Sequence, residues 1–260
     1  MSEPITTSTT DVGTRWVVLD RPERRNAIDV PTQRALRNAL IAAATDPEVR
    51  AVAITGTDPA FSAGGDLSRF DDSDHTAFRF ASHELTEVIG LVERIEKPVV
   101  AAINGTATGA GAQLAMACDL RIASDRSCFL WREGQLGLLP SHGGIARLSH
   151  LVGLGRAREL VLGGLEVDAE RAYAIGLVTE VVPHETLFDA VDAHLARIAR
   201  RSPDAYAVTK RVLLAVAGLP IGTGQAVETL GQSLLVGTDE HRERLRRARD
   251  RTGSAGAEQS

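Results

Sequence analysis

Residues 98–119, PVVAAINGTATGAGAQLAMACD, decide how the rest of this chain is interpreted. The apolar β-type run 99–103 is followed by small residues at 106–111 and by an apolar, helix-like run at 112–118. This order predicts a strand, a tight turn and the start of a buried helix. Glycine and alanine at 109–112 leave the first N–H groups of that helix uncovered, where the helix dipole favours negative charge. The segment therefore suits an oxyanion or a phosphate.

A second turn of the same kind lies at 59–67, PAFSAGGDL, after the β-type run 49–55. Neither the dinucleotide-binding spacing G-x-G-x-x-G nor the Gly-Lys-Ser/Thr of a phosphate loop occurs in 98–119. A Gly/Ala-rich helix packed closely on a sheet would also explain that segment by itself. However, two strand ends with bare amides can converge on one oxygen, as a two-donor oxyanion hole requires. The pair therefore indicates an oxyanion site more strongly than either segment alone.

Composition limits the function classes. The 260 residues are 43% hydrophobic, enough to bury the core of one large or two modest domains. A formal net charge of −5 argues against a general nucleic-acid binder. Cys118 and Cys128 fit neither a metal-binding spacing nor a disulfide framework. The polar N-terminus resembles no signal or anchor, and no apolar run approaches about 18 residues. We therefore expect a soluble, cytoplasmic protein with no metal site and neither nucleic-acid nor membrane partners.

Strand-type and helix-type patterns alternate over most of the chain, and only helix-type patterns follow. Residues 1–11, rich in Ser and Thr, are predicted to be disordered. Residues 12–200 are predicted to form an α/β core and residues 201–251 a helical C-terminal region. Residues 252–260 are predicted to be a disordered tail.

Four segments resemble, in order and spacing, the enoyl-CoA hydratase/isomerase (crotonase) superfamily. They are FSAGGDL at 61–67, KPVVAAINGTATGAGAQLAMACDLRIAS at 97–124, FLWREGQLGLLPSHGGIARL at 129–148 and G-L-V-x-x-V-V-P at 176–183. The resemblance implies an α/β spiral of β-β-α units with a helical C-terminal trimerisation region, assembled as a homotrimer or homohexamer. It also implies a lyase or isomerase that processes acyl-CoA thioesters and needs no cofactor besides the coenzyme A of its substrate.

Matched motif by motif, the resemblance implies a catalytic set. The family's two oxyanion N–H donors fall on Gly65 and Ala110. Its hydratases usually carry two glutamates, and here the first position is Gln113 and the second is Glu133. A glutamine amide can orient water or substrate but cannot exchange a proton near neutral pH. A single glutamate suits isomerisation of a 3-enoyl to a 2-enoyl thioester, whereas the overall resemblance favours hydration of a 2-enoyl thioester.

The expected substrate-binding residues flank these motifs. Arg24, Arg25 and Ala27 match a segment that supports the adenine and pantetheine parts of coenzyme A, and two solvated arginines in a turn are the alternative. Ser141 stands where other members use a side chain for chemistry. His142 is either a base for that hydroxyl or a cap of the following helix. The remaining expected substrate contacts are Ala63, Asp66 and Leu67. The alternative function is an acyl-CoA-binding family member with little or no turnover.

Overall fold

The computed structural model describes residues 3–66 and 74–257. Two compact units, Met1–Ile198 and Ala199–Ser260, divide the chain. The strands of the first unit are β1 (Ile5–Thr9), β2 (Thr14–Leu19), β3 (Ala51–Gly56), β4 (Ala60–Ser62), β5 (Val99–Ile103), β6 (Thr106–Thr108), β7 (Leu120–Ser124), β8 (Cys128–Leu130), β9 (Val167–Asp168) and β10 (Glu180–Val182). Its helices are α1 (Val30–Thr45), α2 (His75–Arg94), α3 (Ala110–Ala117), α4 (Gly144–Gly163), α5 (Ala169–Ala174) and α6 (Leu187–Ala199).

Two sheets share the strands of the first unit. The larger has the order β1-β2-β3-β5-β7-β10 and the smaller β4-β6-β8-β9. All pairs are parallel except β1 with β2 and β8 with β9. The chain thus passes from the large sheet to the small sheet and on to a helix in β3-β4-α2, β5-β6-α3 and β7-β8-α4. This arrangement confirms the predicted α/β spiral of β-β-α units.

The stretch 98–119 lies at the centre of this spiral. Every residue of β3 and of β5 is buried, as expected for parallel strands covered on both faces. All eight residues of α3 are buried as well. A Cβ added to Gly111 would lie only 2.6 Å from the carbonyl oxygen of Ser62, so glycine lets α3 approach β4. The small residues therefore bring the first turn of α3 to the end of the smaller sheet.

Residues 5–9 form a strand, which corrects the prediction of disorder for that part of residues 1–11. β1 pairs antiparallel with β2, from Ile5 opposite Leu19 to Thr9 opposite Arg15. Ile5 is buried, and β-branched threonines favour the extended backbone. The Ser/Thr-rich composition of the segment predicted disorder. Composition alone does not show that β2 is available as a hydrogen-bonding partner.

The second unit is helical in its described residues. Its helices are α7 (Pro203–Val216), α8 (Ile221–Leu235) and α9 (Asp239–Ala257). Ser202 caps α7 by accepting a hydrogen bond from the Ala205 N–H at 3.1 Å. α9 continues to Ala257, which corrects the prediction of disorder for residues 252–257. Extending an existing helix adds one hydrogen bond per residue fixed. Among the residues described, none of the helices combines the length and the apolarity needed to span a bilayer.

Candidate active site

A cavity of about 890 Å³ opens where β4, β6 and β8 run into the turns that follow them. Every described residue that the sequence analysis assigned to catalysis or substrate binding lines this cavity. Leu67, the remaining predicted residue, lies outside the described residues. Because the chain meets this cavity between residues 24 and 166, the spiral brings together segments that are far apart in sequence.

The first amide turn follows β4 and is fixed by its contacts with Ile28. The Ile28 N–H donates to the Gly64 carbonyl at 2.7 Å, and the Asp66 N–H donates to the Ile28 carbonyl at 3.3 Å. Gly64 has a φ of +88°, and a Cβ there would lie 2.5 Å from the Thr108 oxygen. Nothing lies within 4 Å of a Cβ built on Gly65, and within the described part of the chain its N–H donates to no protein acceptor. The Gly65 amide is therefore available to a ligand.

The second amide turn precedes α3 and touches the first. Gly109, with a φ of +51°, donates its N–H to the Leu130 carbonyl at 3.2 Å. Ala110 is the first residue of α3, so its N–H has no intrahelical acceptor, and the described residues offer it no other. A Cβ added to Gly64 would lie only 3.1 Å from the Ala110 nitrogen. The two turns are thus in contact, with one bare amide from each lining the same cavity.

A carboxylate and an amide side chain are paired beside these turns. Gln113 Nε2 donates to Glu133 Oε1 at 2.9 Å, and a Cβ on Gly109 would lie 3.4 Å from that oxygen. Burial raises the pKa of Glu133, while hydrogen bonds from its own backbone N–H and from Gln113 act in the opposite direction. Gln113 Oε1 and Glu133 Oε2 are buried and accept no hydrogen bond from the described residues. Two acceptors are therefore available to a ligand that carries donors.

A tight turn at 141–144 covers the Gln113 amide. The Gly144 N–H donates to the Ser141 carbonyl at 2.7 Å, and a Cβ on Gly144 would lie 3.1 Å from Gln113 Cδ. The φ angles of His142 and Gly143 are +51° and +79°, as in a type I′ turn. His142 does not cap α4, which has Gly143 as its N-cap and no side-chain cap. Ser141 and His142 both line the cavity.

The segment 24–27 at the cavity is held by a buried asparagine, Asn26, for which no sequence motif gave a role. Asn26 accepts from the Arg21 N–H at 3.0 Å and donates to the Ala60 carbonyl at 2.7 Å. Its φ of +57° is one that asparagine tolerates better than most residues. An asparagine in a predicted turn was therefore the sequence signal for this position. The neighbouring Arg25 carbonyl accepts from the Ala63 N–H at 2.8 Å. The backbone of 24–27 is thereby fixed along the cavity, with the side chains of Arg24 and Arg25 exposed.

Further cavity residues carried no motif signal. Cys128 contributes a thiol whose pKa is raised to about 12 by burial and by Glu166, so it is not a reactive thiolate. The loop residues Leu136, Leu138 and Leu139 line the cavity although more than two fifths of each is exposed. An apolar residue in a loop is indistinguishable, in sequence, from one that packs in the core. The described residues hold no cluster of three His, Cys, Asp or Glu side chains suited to a metal ion.

The comparisons with known proteins agree with this geometry. The family model described as enoyl-CoA hydratase/isomerase matches residues 11–245. The short-chain-enoyl-CoA hydratase of Clostridium acetobutylicum is 34% identical over 214 residues, 82% of each chain. The 2,3-dehydroadipyl-CoA hydratase of Escherichia coli is 33% identical over 227 residues, 87% of this chain and 88% of the other. The crystal structure of enoyl-CoA hydratase from Bacillus anthracis aligns with a TM-score of 0.91 at 29% identity, over 95% of this chain and 96% of the other.

Proposed function

Since this chain belongs to the enoyl-CoA hydratase/isomerase family, we propose that it hydrates the 2,3 double bond of an enoyl-CoA thioester or catalyses the reverse elimination. The named relatives, hydratases and dehydratases, support a lyase rather than an acyl-CoA-binding protein without turnover. The observation that carries the proposal is the convergence of the Gly65 and Ala110 amides on one cavity beside the paired Glu133 and Gln113.

The two amides are proposed to hold the thioester carbonyl oxygen. As the α-carbon gains or loses a proton, negative charge moves onto this oxygen and the intermediate is an enolate. Backbone N–H groups aimed at that charge stabilise it without reorganisation, and one such donor is worth about 3 to 4 kcal/mol of barrier. The N-terminus of α3 adds its dipole at Ala110. Because the backbone is the donor, the side chain at 110 need only be small.

Glu133 is proposed to carry the proton. In hydration, the water oxygen bonds to the β-carbon and one of its protons leaves, while a proton is delivered to the α-carbon. Gln113 Oε1, without a protein donor in the described residues, is suited to accept a hydrogen bond from this water. Glu133 Oε2, likewise without a protein donor there, is suited to exchange the α-proton. Burial raises the pKa of Glu133, which brings a carboxyl group closer to the range where it can both give and take a proton.

The coenzyme A end of the substrate is assigned to the segment 24–27. Arg24 and Arg25 offer two exposed cations at the cavity edge, suited to the phosphates of the nucleotide. Ala27 and Ala63 line the cavity with small side chains that leave room for the pantetheine chain, and the acyl group would extend toward the leucines of the 136–139 loop. The substrate is thereby held at both ends while its thioester lies at the two amides.

Isomerisation of a 3-enoyl thioester is the second candidate, and Gln113 is the observation that favours it. One base suffices to take the α-proton and return it at the γ-carbon. Of the paired side chains Glu133 and Gln113, Glu133 is the one that can act as a base, because the Gln113 amide cannot exchange protons. The same amides would hold the same enolate. The two reactions therefore share the machinery and differ in whether water is activated.

Homotrimer or homohexamer assembly is also a proposal. Leu213 and Leu214 on α7, and Leu230 and Leu234 on α8, are at least half exposed, which supports burial against other copies. Light scattering coupled to size-exclusion chromatography tests this directly.

The test of function is turnover of crotonyl-CoA and of a 3-enoyl-CoA by the wild type, Glu133→Gln and Glu166→Gln. Glu166 lines the same cavity and makes a matched control for loss of a carboxylate. We expect Glu133→Gln to abolish both activities while acyl-CoA binding, measured by calorimetry, survives and Glu166→Gln remains active. Binding without turnover of either substrate by the wild type would instead support the acyl-CoA-binding alternative.

A further inference from the structure

Two contacts hold His142, one to its backbone and one to its ring. Its φ of +51° lies in the left-handed region, which residues with a Cβ seldom adopt, although histidine does so more often than most. Its carbonyl accepts from Arg147 at 2.5 Å, and Arg147 is in turn held by two hydrogen bonds to Glu93, at 2.6 and 2.7 Å. Its ring nitrogen Nδ1 lies 2.8 Å from Thr86 Oγ1 on α2. Backbone and ring are therefore both fixed.

The contact with Thr86 determines the tautomer of the imidazole. The Thr86 hydroxyl has one hydrogen, which it donates to the Ser82 carbonyl at 3.0 Å. Its oxygen must therefore accept from His142, so Nδ1 carries the hydrogen. In the neutral ring the lone pair then lies on Nε2. The turn thus presents a proton acceptor on a residue that lines the same cavity as Glu133.

The turn that carries His142 also covers the amide of Gln113, since a Cβ on Gly144 would lie 2.9 Å from Gln113 Cγ. Gln113 can orient a water through Oε1 but cannot accept its proton. Hydration requires that the water lose a proton and that the α-carbon gain one, and the paired side chains at 113 and 133 include only one group that exchanges protons. Resting on the proposed function, we infer that His142 is the second acid/base residue of the site and accepts the proton of the attacking water.

The step balances in both directions. The water oxygen forms a bond to the β-carbon while His142 Nε2 accepts one of its protons, and the π-electrons move onto the thioester oxygen. Protonated Glu133 then delivers its proton to the α-carbon as the enolate collapses. The site is left with an imidazolium and a carboxylate, and proton exchange with solvent restores the starting state. Elimination of water runs through the same groups in reverse order.

The test variant is His142→Asn in the full chain. Asparagine tolerates the left-handed φ and can donate an amide N–H toward Thr86, but it cannot accept a proton. Two rates are measured for each enzyme: hydration of crotonyl-CoA, and exchange of the α-protons of butyryl-CoA with D₂O followed by NMR. Exchange uses the amides and Glu133 but no attacking water, so it reports both folding and the remaining machinery.

We expect His142→Asn to lower kcat for hydration by about 100-fold or more, the usual contribution of a general base, and to keep exchange within about threefold of wild type. Thr86→Val should lower kcat for hydration by a smaller factor, because the His142 ring loses its hydrogen bond to the Thr86 hydroxyl. Thr86→Ser keeps the hydroxyl and should hydrate crotonyl-CoA like the wild type. Hydration within about threefold of wild type in His142→Asn overturns the inference, as does an equal loss of hydration and exchange.

The same experiment separates this inference from the proposed function. A wild type that exchanges α-protons and does not hydrate crotonyl-CoA overturns the role of His142 and leaves that of Glu133 in place. A wild type that does neither overturns both.

Discussion

Replacing Ala110 with proline removes one proposed oxyanion donor and leaves the fold nearly unchanged. Ala110 is the first residue of α3, the position where proline is best tolerated, because its missing N–H has no acceptor within the helix. The preceding residue is Gly109, which has no Cβ for the proline ring to meet. We therefore expect Ala110→Pro to unfold within a few degrees of wild type, whereas Ala115→Pro, inside α3, should lose about 3 kcal/mol or more.

The catalytic effect of Ala110→Pro should be much larger. Loss of one backbone donor to an enolate oxygen costs about 3 to 4 kcal/mol, a reduction in kcat of about 10² to 10³. Binding of a saturated acyl-CoA should weaken less, because this hydrogen bond is strongest when charge develops on the oxygen. Ala110→Gly keeps the N–H and is the matched control, expected to remain close to wild type.

The assay is steady-state turnover of the preferred enoyl-CoA, with thermal unfolding of each variant measured alongside. Turnover of Ala110→Pro within tenfold of Ala110→Gly, at similar stability, would show that this amide does not stabilise the transition state.

Three further predictions address the rest of the site. Arg24→Ala and Arg25→Ala should each raise KM for a coenzyme A thioester about two- to fivefold, as for an exposed ion pair, and leave the KM of a pantetheine thioester unchanged, since it lacks the nucleotide phosphates. Gly64→Ala should lower the free energy of unfolding by at least about 1 to 3 kcal/mol because of its φ of +88° and the Thr108 oxygen 2.5 Å from the new Cβ, whereas Gly155→Ala, with open space around it, should be neutral or stabilising in urea unfolding. Glu133→Gln should stabilise the fold relative to wild type by an amount that grows as pH rises. A carboxyl group whose native pKa is raised stabilises the fold fully below its unfolded pKa of about 4.3, and this contribution is lost as pH rises through the native pKa. Equal differences in the free energy of unfolding between variant and wild type at pH 5 and pH 8 would contradict the burial of the Glu133 charge.

The parts of the fold that were predictable are those whose signal is local. β5 and α3 follow from a short apolar run, a small-residue turn and an apolar helix in one continuous segment. In contrast, β4 and β6 are three-residue strands inside what the sequence indicated as turns. Such strands are defined by pairing with each other, a contact between segments 46 residues apart (60 to 106) that periodicity does not report.

The site was predictable only to the level of its motifs. Gly65, Ala110 and Glu133 lie on motif positions, so their presence in one cavity followed from the resemblance once the spiral formed. The hydrogen bond between His142 and Thr86 joins residues 56 positions apart, and neither residue type nor spacing signals it. Without knowledge of that contact, the sequence could not distinguish the two roles considered for His142, a base and a helix cap. The structure removes the cap, since α4 has no side-chain cap.

The most direct test of the account is the exchange of the α-protons of butyryl-CoA in D₂O by wild type and by Glu133→Gln. This reaction needs the two steps proposed for the site, transfer of the α-proton by Glu133 and stabilisation of the enolate oxygen by the amides, and no others. We predict that the wild type exchanges these protons and that Glu133→Gln binds butyryl-CoA comparably but exchanges them at least about 100-fold more slowly. Equal exchange by the two enzymes would show that another group moves the proton.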